Sequence, residues 1–469
     1  MPIAFWAWRT QTPRTVEVQN AFATTTAKTL FLHAGQFDIV GEAIQRIRPV
    51  TGVLPHSVET HLVYNGTRRF LGDWDRLTPE VIAENVANTY LTDLSRAHDT
   101  QTDANGLQLD FDVPTRLLPM YAETLQQLRK LLPPNTKLSI TGLATWTTAK
   151  DIELVLANVD FWIPQCYGTA IPINVNERTP ISSSSEVGRI VDEARKLNKP
   201  FYAGLSAYGY AILYARDGGL LELRGDIEPV RAAQSSNLEL IETYTFKGDR
   251  EVGEIQYVYR VKSDALIDGL IIQTGEILVF DVPSTASLRA SARAVRENAG
   301  DLLLGICLFR LPTADDKTTL SVGEIATALS DTQTKVATAI TLKTTPHGRL
   351  NLSAENNGTA RAILSEDAMT IDLAVPAGSI DSAFRFRGFT TYETLCGQIE
   401  TGNPQPCSSL RANVIRIKAT SWNPGTLAGA TFGIKNKLPL NLSAIVTSHL
   451  NDGRIERELL NLKIQNGED

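Results

Sequence analysis

Residues 105–114 read NGLQLDFDVP, and this stretch decides the fold. Strand side chains alternate between two faces, so three apolar side chains point one way while Gln108, Asp110 and Asp112 point the other way. An unpaired carboxylate in an apolar core costs several kcal/mol, or its pKa shifts upward. The polar face therefore predicts a strand of a parallel β/α barrel that ends at the barrel mouth, with a solvated edge strand as the alternative.

The composition is that of a globular protein, with no apolar run long enough to span a membrane. The 469 residues exceed what one hydrophobic core usually supports, so we expect at least two domains. A net charge of −7 without a Lys/Arg stripe argues against nucleic acid as a partner.

The four cysteines fall into two kinds of surroundings. Cys166 and Cys307 lie in apolar strand-like runs and are expected to be buried. Cys396 and Cys407 flank the turn-rich loop GQIETGNPQP, where a disulfide would indicate an oxidising compartment. The chain opens directly on a strand, IAFWAWR, which favours a trimmed leader and a periplasmic or secreted protein. Neither the cysteines nor the six His have metal-ligand spacing, so we expect no metal and no cofactor.

From residue 1 to about 330, short apolar strands alternate with helical stretches, which is the pattern of a parallel sheet. Eight strands are predicted, the number that closes a (β/α)8 TIM barrel of the α/β class. The third strand is ambiguous, since either 53–56 or 61–64 fits. The other strands are 3–9, 28–35, 105–114, 137–146, 159–168, 200–210 and 302–312, and the helices are 78–96, 117–132, 150–157, 186–197 and 287–298, with a helical turn from about 41.

Two further regions break the alternation of strands and helices. Residues from about 212 to 285, between the seventh and eighth strands, contain alternating segments that predict a β-rich insertion. After about residue 340, turn-separated segments such as GRLNLSA, TARAILS, MTIDLAV and LNLSAIVTS predict an antiparallel β-sandwich. We therefore expect a barrel domain over 1–335 and a sandwich domain over 340–469.

Three segments resemble family 18 glycoside hydrolases, the chitinase-like barrels. NGLQLDFD is similar to the signature strand of that family, QCYG (165–168) to its sixth-strand tyrosine segment, and GLSAYG (204–209) to its seventh-strand segment. Together with KLSITGLATW and GICLFRLP, the first segment also resembles a bacterial family known as domain of unknown function 3142. The family 18 resemblance implies a TIM barrel with an insertion after strand seven and glycoside hydrolase activity on a polysaccharide.

The sequence departs from the family 18 pattern at its carboxyl positions. Asp112 stands where the family has its acid Glu, and Gln108 where a carboxylate usually precedes the pair. Asn105 replaces the first Asp of the signature, and Gly168 follows the tyrosine where the family often has Asp. The standard mechanism therefore does not transfer unchanged.

Asp110 and Asp112 suit glycoside cleavage on chemical grounds. One carboxyl must donate a proton to the leaving oxygen, and another must be charged to stabilise the cationic transition state. Two close carboxylates in a recess push their pKa values apart, which supplies this division of roles. The alternatives are that Asp110 is tied into hydrogen bonds of the barrel core and that Asp112 holds a loop. For Tyr167, the resemblance implies binding of an acetamido group that attacks the anomeric carbon, and packing at the barrel rim is the alternative.

Candidates for substrate binding lie near the carboxyl ends of the predicted strands. Flat aromatic rings at a barrel mouth stack on sugar faces, although each ring alone also fits a core position. We expect at least two of four rings to line the cleft, those of Trp8, Trp146, Tyr208 and Tyr210. Arg9 and Arg310 end the first and eighth strands, where they would bind an anionic sugar substituent or pair with Asp110 or Asp112. The candidates are Trp8, Arg9, Gln108, Trp146, Gln165, Tyr208 and Arg310.

The sequence thus predicts a glycoside-hydrolase-like barrel that acts on a polysaccharide or oligosaccharide, with polymers of N-acetylated amino sugars as one candidate substrate. The rival is a non-catalytic, lectin-like carbohydrate-binding barrel, because family 18 relatives that lose the acid become lectins. A structural scaffold built on an inactive barrel is the third alternative.

Overall fold

A computed structural model describes residues 1–469 except 10, 57, 100, 101, 103, 248–251, 346, 401, 402, 437 and 467–469. Up to residue 206, helices separate the strands along the chain except between residues 27 and 66, where three strands follow one another. The elements are β1 (Ile3–Ala7), α1 (Thr15–Thr25), β2 (Ala27–Val40), β3 (Ala43–Ile47), β4 (Glu59–Gly66), α2 (Arg68–Gly72), α3 (Pro79–Asp99), β5 (Ala104–Asp110), α4 (Leu118–Leu131), β6 (Lys137–Gly142), α5 (Ile152–Leu156), β7 (Phe161–Pro164), α6 (Ser184–Lys196) and β8 (Phe201–Ser206), with 3₁₀ turns at Trp74–Arg76, Thr115–Leu117 and Ala144–Thr148.

After β8 the chain leaves this alternation and then returns to it. The elements are β9 (Tyr210–Tyr214), β10 (Leu220–Arg224), α7 (Pro229–Gln234), β11 (Leu238–Lys247), β12 (Val252–Val261), β13 (Ala265–Ile267), β14 (Leu270–Ile272), β15 (Ile277–Val282), α8 (Thr285–Asn298), β16 (Leu303–Phe309) and α9 (Val322–Leu329).

Eight of these strands close a barrel. β1 pairs with β2 on one side and with β16 on the other, which completes a parallel ring in the order β1, β2, β4, β5, β6, β7, β8, β16. β3 extends β2 as an antiparallel hairpin. The predicted (β/α)8 barrel is confirmed, and its third strand is β4 rather than the segment 53–56.

The two faces of β5 fill different layers of this barrel. Leu107, Leu109 and Phe111 are completely buried in the layer between the strands and the surrounding helices. The barrel interior is packed with another cluster that includes Trp6 and Phe31. The polar face of β5 therefore points into the barrel axis, and its last residues reach the mouth.

The helices close the outside of the barrel through apolar stripes of ordinary helical spacing. In α6, Ser183 is the N-cap, and its side chain accepts a hydrogen bond of 3.3 Å from the N–H of Glu186. One face of the helix then buries Val187, Ile190 and Ala194.

The β-rich insertion after the seventh barrel strand is confirmed. Its five antiparallel strands run in the order β10, β9, β15, β12, β11, and β13 and β14 add a small hairpin. Row by row, Tyr210 on β9 lies opposite Asp281 on β15, which lies opposite Gln256 on β12. The strand register therefore places these three residues side by side across the sheet.

The remainder of the chain is entirely β. Two antiparallel groups of strands meet where β17 and β26 pair in parallel, and they bury a common core that includes Leu352, Ile371, Ile417 and Phe432. The predicted C-terminal β-sandwich is thereby confirmed. Its strands are β17 (Thr338–Thr344), β18 (Arg349–Asn356), β19 (Met369–Ala374), β20 (Ile380–Arg387), β21 (Thr391–Cys396), β22 (Gln405–Pro406), β23 (Val414–Ala419), β24 (Leu427–Ile434), β25 (Asn441–His449) and β26 (Ile455–Asn466).

Several local predictions were wrong. The helical turn near residue 41 is a tight hairpin, because Gly41 adopts φ +67° and places Val40 opposite Ala43. The segment 200–210 is divided between β8 and β9, and TARAILS contributes only an isolated bridge at Ala362. The helix predicted over 150–157 shortens to α5.

The cysteine predictions are confirmed. Cys396 and Cys407 form a disulfide with Cα atoms 5.7 Å apart, and Cys166 and Cys307 are buried thiols. None of the described helices is long and apolar enough to cross a membrane.

Candidate active site

Two carboxylates stand at the carboxyl end of β5, the fourth strand of the barrel. Asp110 is half-buried, whereas Asp112, just beyond the strand, is exposed to solvent. One oxygen of Asp110, Oδ1, accepts hydrogen bonds from Thr141 Oγ1 at 2.6 Å and from Gln165 Nε2 at 3.3 Å. Asp110 is thus anchored from the next two barrel strands, while Asp112 is left to face the mouth.

The environment of this pair favours protonation. Burial and the nearby charge of Asp112 raise the pKa of Asp110 to about 7, against the hydrogen bond from Thr141. Burial also raises the pKa of Asp112, although the residue as a whole is exposed. Within the described residues, neither carboxylate forms an ion pair with Lys or Arg. The two groups therefore titrate as a pair that holds a proton up to about neutral pH.

Tyr167 joins this pair from the neighbourhood of β7. Its side chain is half-buried, and its pKa is raised well above the ordinary value by burial and then by the charges of Tyr208, Asp110 and Asp112. The structure thus brings Tyr167 and Gln165 to the carboxylates, as the sequence predicted.

Phe309 is the centre of an aromatic floor that the sequence analysis did not identify. Its ring centroid lies 5.0 Å from that of Tyr208, 5.7 Å from Trp8 and 5.8 Å from Tyr167. The signal available in the sequence was an aromatic residue directly before Arg310 at the end of the last barrel strand. Trp8, Tyr167 and Tyr208 are each half-buried, so their rings combine packing with a surface open to the mouth.

Two residues predicted to bind substrate are in the core instead. Gln108 is completely buried inside the barrel, where it accepts from Trp6 Nε1 at 2.7 Å and donates to Ser139 Oγ at 3.3 Å. Trp146 is also completely buried, and its ring packs 6.1 Å from that of Tyr121. The strand predicted over 137–146 ends at Gly142, so a 3₁₀ turn carries Trp146 away from the mouth. Both predictions were wrong.

The two predicted arginines meet at a carboxylate other than those of the pair. Arg310 Nε lies 2.6 Å from Asp316 Oδ2, and Arg9 Nη2 lies 3.3 Å from the same oxygen. The predicted alternative of pairing with Asp110 or Asp112 is wrong. Asp316, in the segment after β16, was not identified from the sequence.

His33 is a further polar side chain near this floor. Its ring lies 4.6 Å from that of Trp8, and its Nε2 is 3.1 Å from Asn65 Oδ1. Burial lowers the pKa of His33, so the ring is neutral near pH 7. No group of three or more His, Cys, Asp or Glu among the described residues is arranged to hold a metal ion.

The fold and the site together define a closed β/α barrel with a carboxylate pair at the end of its fourth strand and aromatic rings at its mouth. Residues 69–239 match the model of a family described as Domain of unknown function (DUF3142), which confirms the resemblance seen in the sequence. None of the curated proteins compared with the chain matches it.

Several solved structures are similar to this chain at low identity and low TM-score. The spore cortex-lytic enzyme SleL of Bacillus megaterium is 13% identical with a TM-score of 0.44, covering 70% of this chain and 73% of its own. A chitinase from Chromobacterium violaceum is 15% identical with a TM-score of 0.45, covering 70% and 98%. A family 18 N-acetylglucosaminidase from Paenibacillus barengoltzii is 11% identical with a TM-score of 0.42, covering 70% and 98%. At these scores, no residue role or substrate is carried over from them.

Proposed function

We propose that this chain is a glycoside hydrolase in which Asp110 and Asp112 cleave a polysaccharide that contains N-acetylated amino sugars. One observation carries the proposal: two carboxylates share the barrel mouth with no ion-paired cation among the residues that the structure describes, and the pKa of Asp110 is raised to about 7. A pair that still holds a proton at neutral pH can supply both the acid and the charged group that glycoside cleavage needs.

Asp112 is proposed as the proton donor because it lies just beyond β5, at the mouth, and is the more exposed residue of the two. It would protonate the glycosidic oxygen, as the bond to the anomeric carbon breaks, with the one proton that the pair shares. Asp110, which holds that proton in the free protein, would pass it to Asp112 and then carry the charge that stabilises the cationic centre. By its resemblance to family 18, Tyr167 would bind the substrate's acetamido group while that group attacks the anomeric carbon. Water would then release the sugar, with Asp112 taking back a proton.

An Asp acid is shorter than the Glu of family 18 by one methylene, about 1.5 Å. The substrate must therefore lie deeper in the cleft, or a water must relay the proton. This same feature favours the second candidate function, a lectin-like barrel that binds a glycan without cleaving it.

The experiment that separates the two functions compares wild-type protein with Asp112→Asn on chitin and peptidoglycan oligosaccharides. A hydrolase should lose turnover by about 10²–10⁴ in the variant while its affinity stays nearly unchanged, because Asn keeps the shape of the side chain. Asp192→Asn is the matched control, since Asp192 lies on the outer helix α6 beside Arg195 and Lys196.

The lectin function predicts another pattern. Wild-type protein would bind a glycan and never cleave it, and affinity would fall with Trp8→Ala or Phe309→Ala, the rings of the floor. Tight binding without hydrolysis of any glycan would contradict the hydrolase proposal.

We also propose a periplasmic or secreted location, supported by the disulfide between Cys396 and Cys407. Thiol counting on non-reduced protein from its native source tests this, and four free thiols would contradict it.

The domain division at 335–340 remains a prediction. A hydrogen bond joins the two predicted domains: Arg361 Nε, in the sandwich domain, donates to Glu324 Oε1 of α9, in the barrel domain, at 2.9 Å. Limited proteolysis that cuts between 335 and 340 and leaves two resistant fragments is the expected result.

A further inference from the structure

Two arginines and one carboxylate meet at the barrel mouth, where the first and last strands end. Arg9 follows β1, Arg310 follows β16, and both approach Asp316 Oδ2. Burial acts to raise the pKa of Asp316, but the hydrogen bond and charge of Arg310, and then the charge of Arg9, hold it below its ordinary value. Asp316 is therefore an anion. The two arginines and this one carboxylate together carry a net charge of about +1.

That excess charge resides on Arg9. Arg310 is only 12% exposed in its side chain, and besides Asp316 it donates to Gly225 O at 3.0 Å and Thr318 Oγ1 at 3.1 Å. Thr318 occupies the other oxygen of Asp316 through its N–H and its hydroxyl, both at 3.1 Å. Arg9 is 39% exposed, and its contact with Asp316 is the longer one, at 3.3 Å. Its guanidinium, which has five N–H donors, is thus partly open to solvent and to a ligand.

Arg9 stands at one end of the aromatic floor. Its neighbour Trp8 lies 5.7 Å from Phe309, and Phe309 lies 5.8 Å from Tyr167. Tyr167 in turn is close enough to Asp110 and Asp112 for their charges to raise its pKa. The rings of the floor thus join Tyr167, near the carboxylate pair, to Trp8, which precedes Arg9 in the chain, and a glycan bound along the floor would run from one to the other.

Resting on the proposed function, we infer that Arg9 is a specificity-determining residue that selects glycans bearing a carboxylate on the sugar bound over Trp8. A guanidinium matches a carboxylate through two parallel hydrogen bonds. The protein as a whole carries a net charge of −7, which disfavours polyanions, so a local cation is needed to bind an acidic chain.

The test measures the affinity of chemically matched polymers. Hyaluronan, polygalacturonate and peptide-free peptidoglycan strands are each paired with their carboxyl-reduced form, and chitin oligosaccharides serve as a neutral reference. Affinities are measured in the Asp112→Asn background, so that the polymers stay intact, and hydrolysis is measured with Asp112 present.

The expected result is a preference of about tenfold for at least one carboxylated polymer over its reduced form, the size of one charge-assisted hydrogen bond. Arg9→Gln should bring this ratio to about one, and Arg9→Lys should retain part of it. Raising the salt concentration should weaken the preference, because Arg9 is exposed. Arg14→Gln is the matched control, since Arg14 is exposed and pairs with Glu17 by a 2.9 Å contact.

Each other outcome overturns the inference. Binding or cleavage of glycans with equal affinity for the carboxylated and reduced forms removes the inference alone and leaves the proposed function standing. The same holds if the preference survives Arg9→Gln in a variant that melts like wild-type protein. Failure to bind or cleave any polymer removes the proposed function and the inference with it.

Discussion

The two ends of the barrel interior carry polar clusters of opposite character. At the amino ends of the strands, Glu59 lies 3.4 Å from His61 Nε2 and 2.6 Å from Lys137 Nζ. The hydrogen bond from His61, opposed by burial and helped by Lys137, lowers the pKa of Glu59 to about 2. At the mouth, burial and Asp112 raise the pKa of Asp110 to about 7. One carboxylate is stabilised by its partners, and the other is held in an unfavourable environment.

This contrast indicates where function resides. A paired carboxylate with a lowered pKa contributes to folding, as is usual for the amino-terminal face of a barrel. A carboxylate pair with raised pKa values reduces stability, and such arrangements concentrate at catalytic sites. The predictions below act on the two ends separately.

The largest effect is expected at the mouth. Asp110→Asn should lower glycan turnover by about 10²-fold or more, because Asn can neither pass the shared proton to Asp112 nor carry the charge that stabilises the transition state. The ordinary pKa of 3.8 is raised to about 7, so the stability contribution of protonated Asp110 is complete below about pH 3.8 and lost as pH rises through 7. Asn stays neutral throughout, so the variant should unfold like wild-type protein at pH 4 and be more stable at pH 8, by on the order of 2 kcal/mol.

Denaturant unfolding at the two pH values measures this effect. A variant that loses activity and also loses stability at pH 8 would show that Asp110 is a structural carboxylate like Glu59.

At the other end, Glu59→Gln should leave turnover unchanged and reduce stability. The pKa of Glu59 is lowered from 4.5 to about 2, so its contribution is present above pH 4.5 and lost as pH falls through 2. With Lys137 half exposed, the loss at pH 7 should be about 1 kcal/mol, and there should be none near pH 2. Unfolding curves at pH 7 and pH 2 decide it, and a loss of stability that is equal at both would contradict the pairing.

The smallest effect on rate is expected for Tyr167→Phe. Removing one hydroxyl should cost about tenfold in turnover, and only on substrates with an acetamido group. Turnover of N-acetylated chitin oligosaccharides measures this loss, and N-deacetylated oligosaccharides, which lack the attacking group, should be cleaved by neither protein. Cleavage of both kinds of oligosaccharide that Tyr167→Phe slows equally would mean that Tyr167 acts by packing on Phe309.

Much of this contrast follows from short-range sequence patterns, and some does not. The period of two in residues 105–112 predicted both the outward apolar face and the inward polar face of β5. The pattern could not show that Gln108 lies deep inside the barrel while Asp110 reaches the mouth. The position of a side chain along the barrel axis depends on the residues that face it from the other strands. Gln108 is satisfied by Trp6, which is 102 residues away in sequence, whereas Asp110 reaches the mouth.

Local turns account for other errors. The apolar character of 137–146 suggested one strand, but the chain turns after Gly142, so Trp146 packs against Tyr121. Asp316 was not identified because its role depends on Arg9, 307 residues earlier in the chain, as the salt bridge shows. Closure of the barrel, which brings the first and last strands together, creates that contact.

The most direct test of the central claim is a pH titration of the carboxyl carbons by ¹³C NMR. Spectra of Asp110→Asn, Asp112→Asn and Glu59→Gln would assign the three signals. The expected result is that the Asp110–Asp112 pair keeps a proton up to about pH 7, whereas Glu59 is already ionised at pH 4. If both aspartates are fully ionised by pH 5, the pair does not hold the proton that the proposed hydrolysis requires.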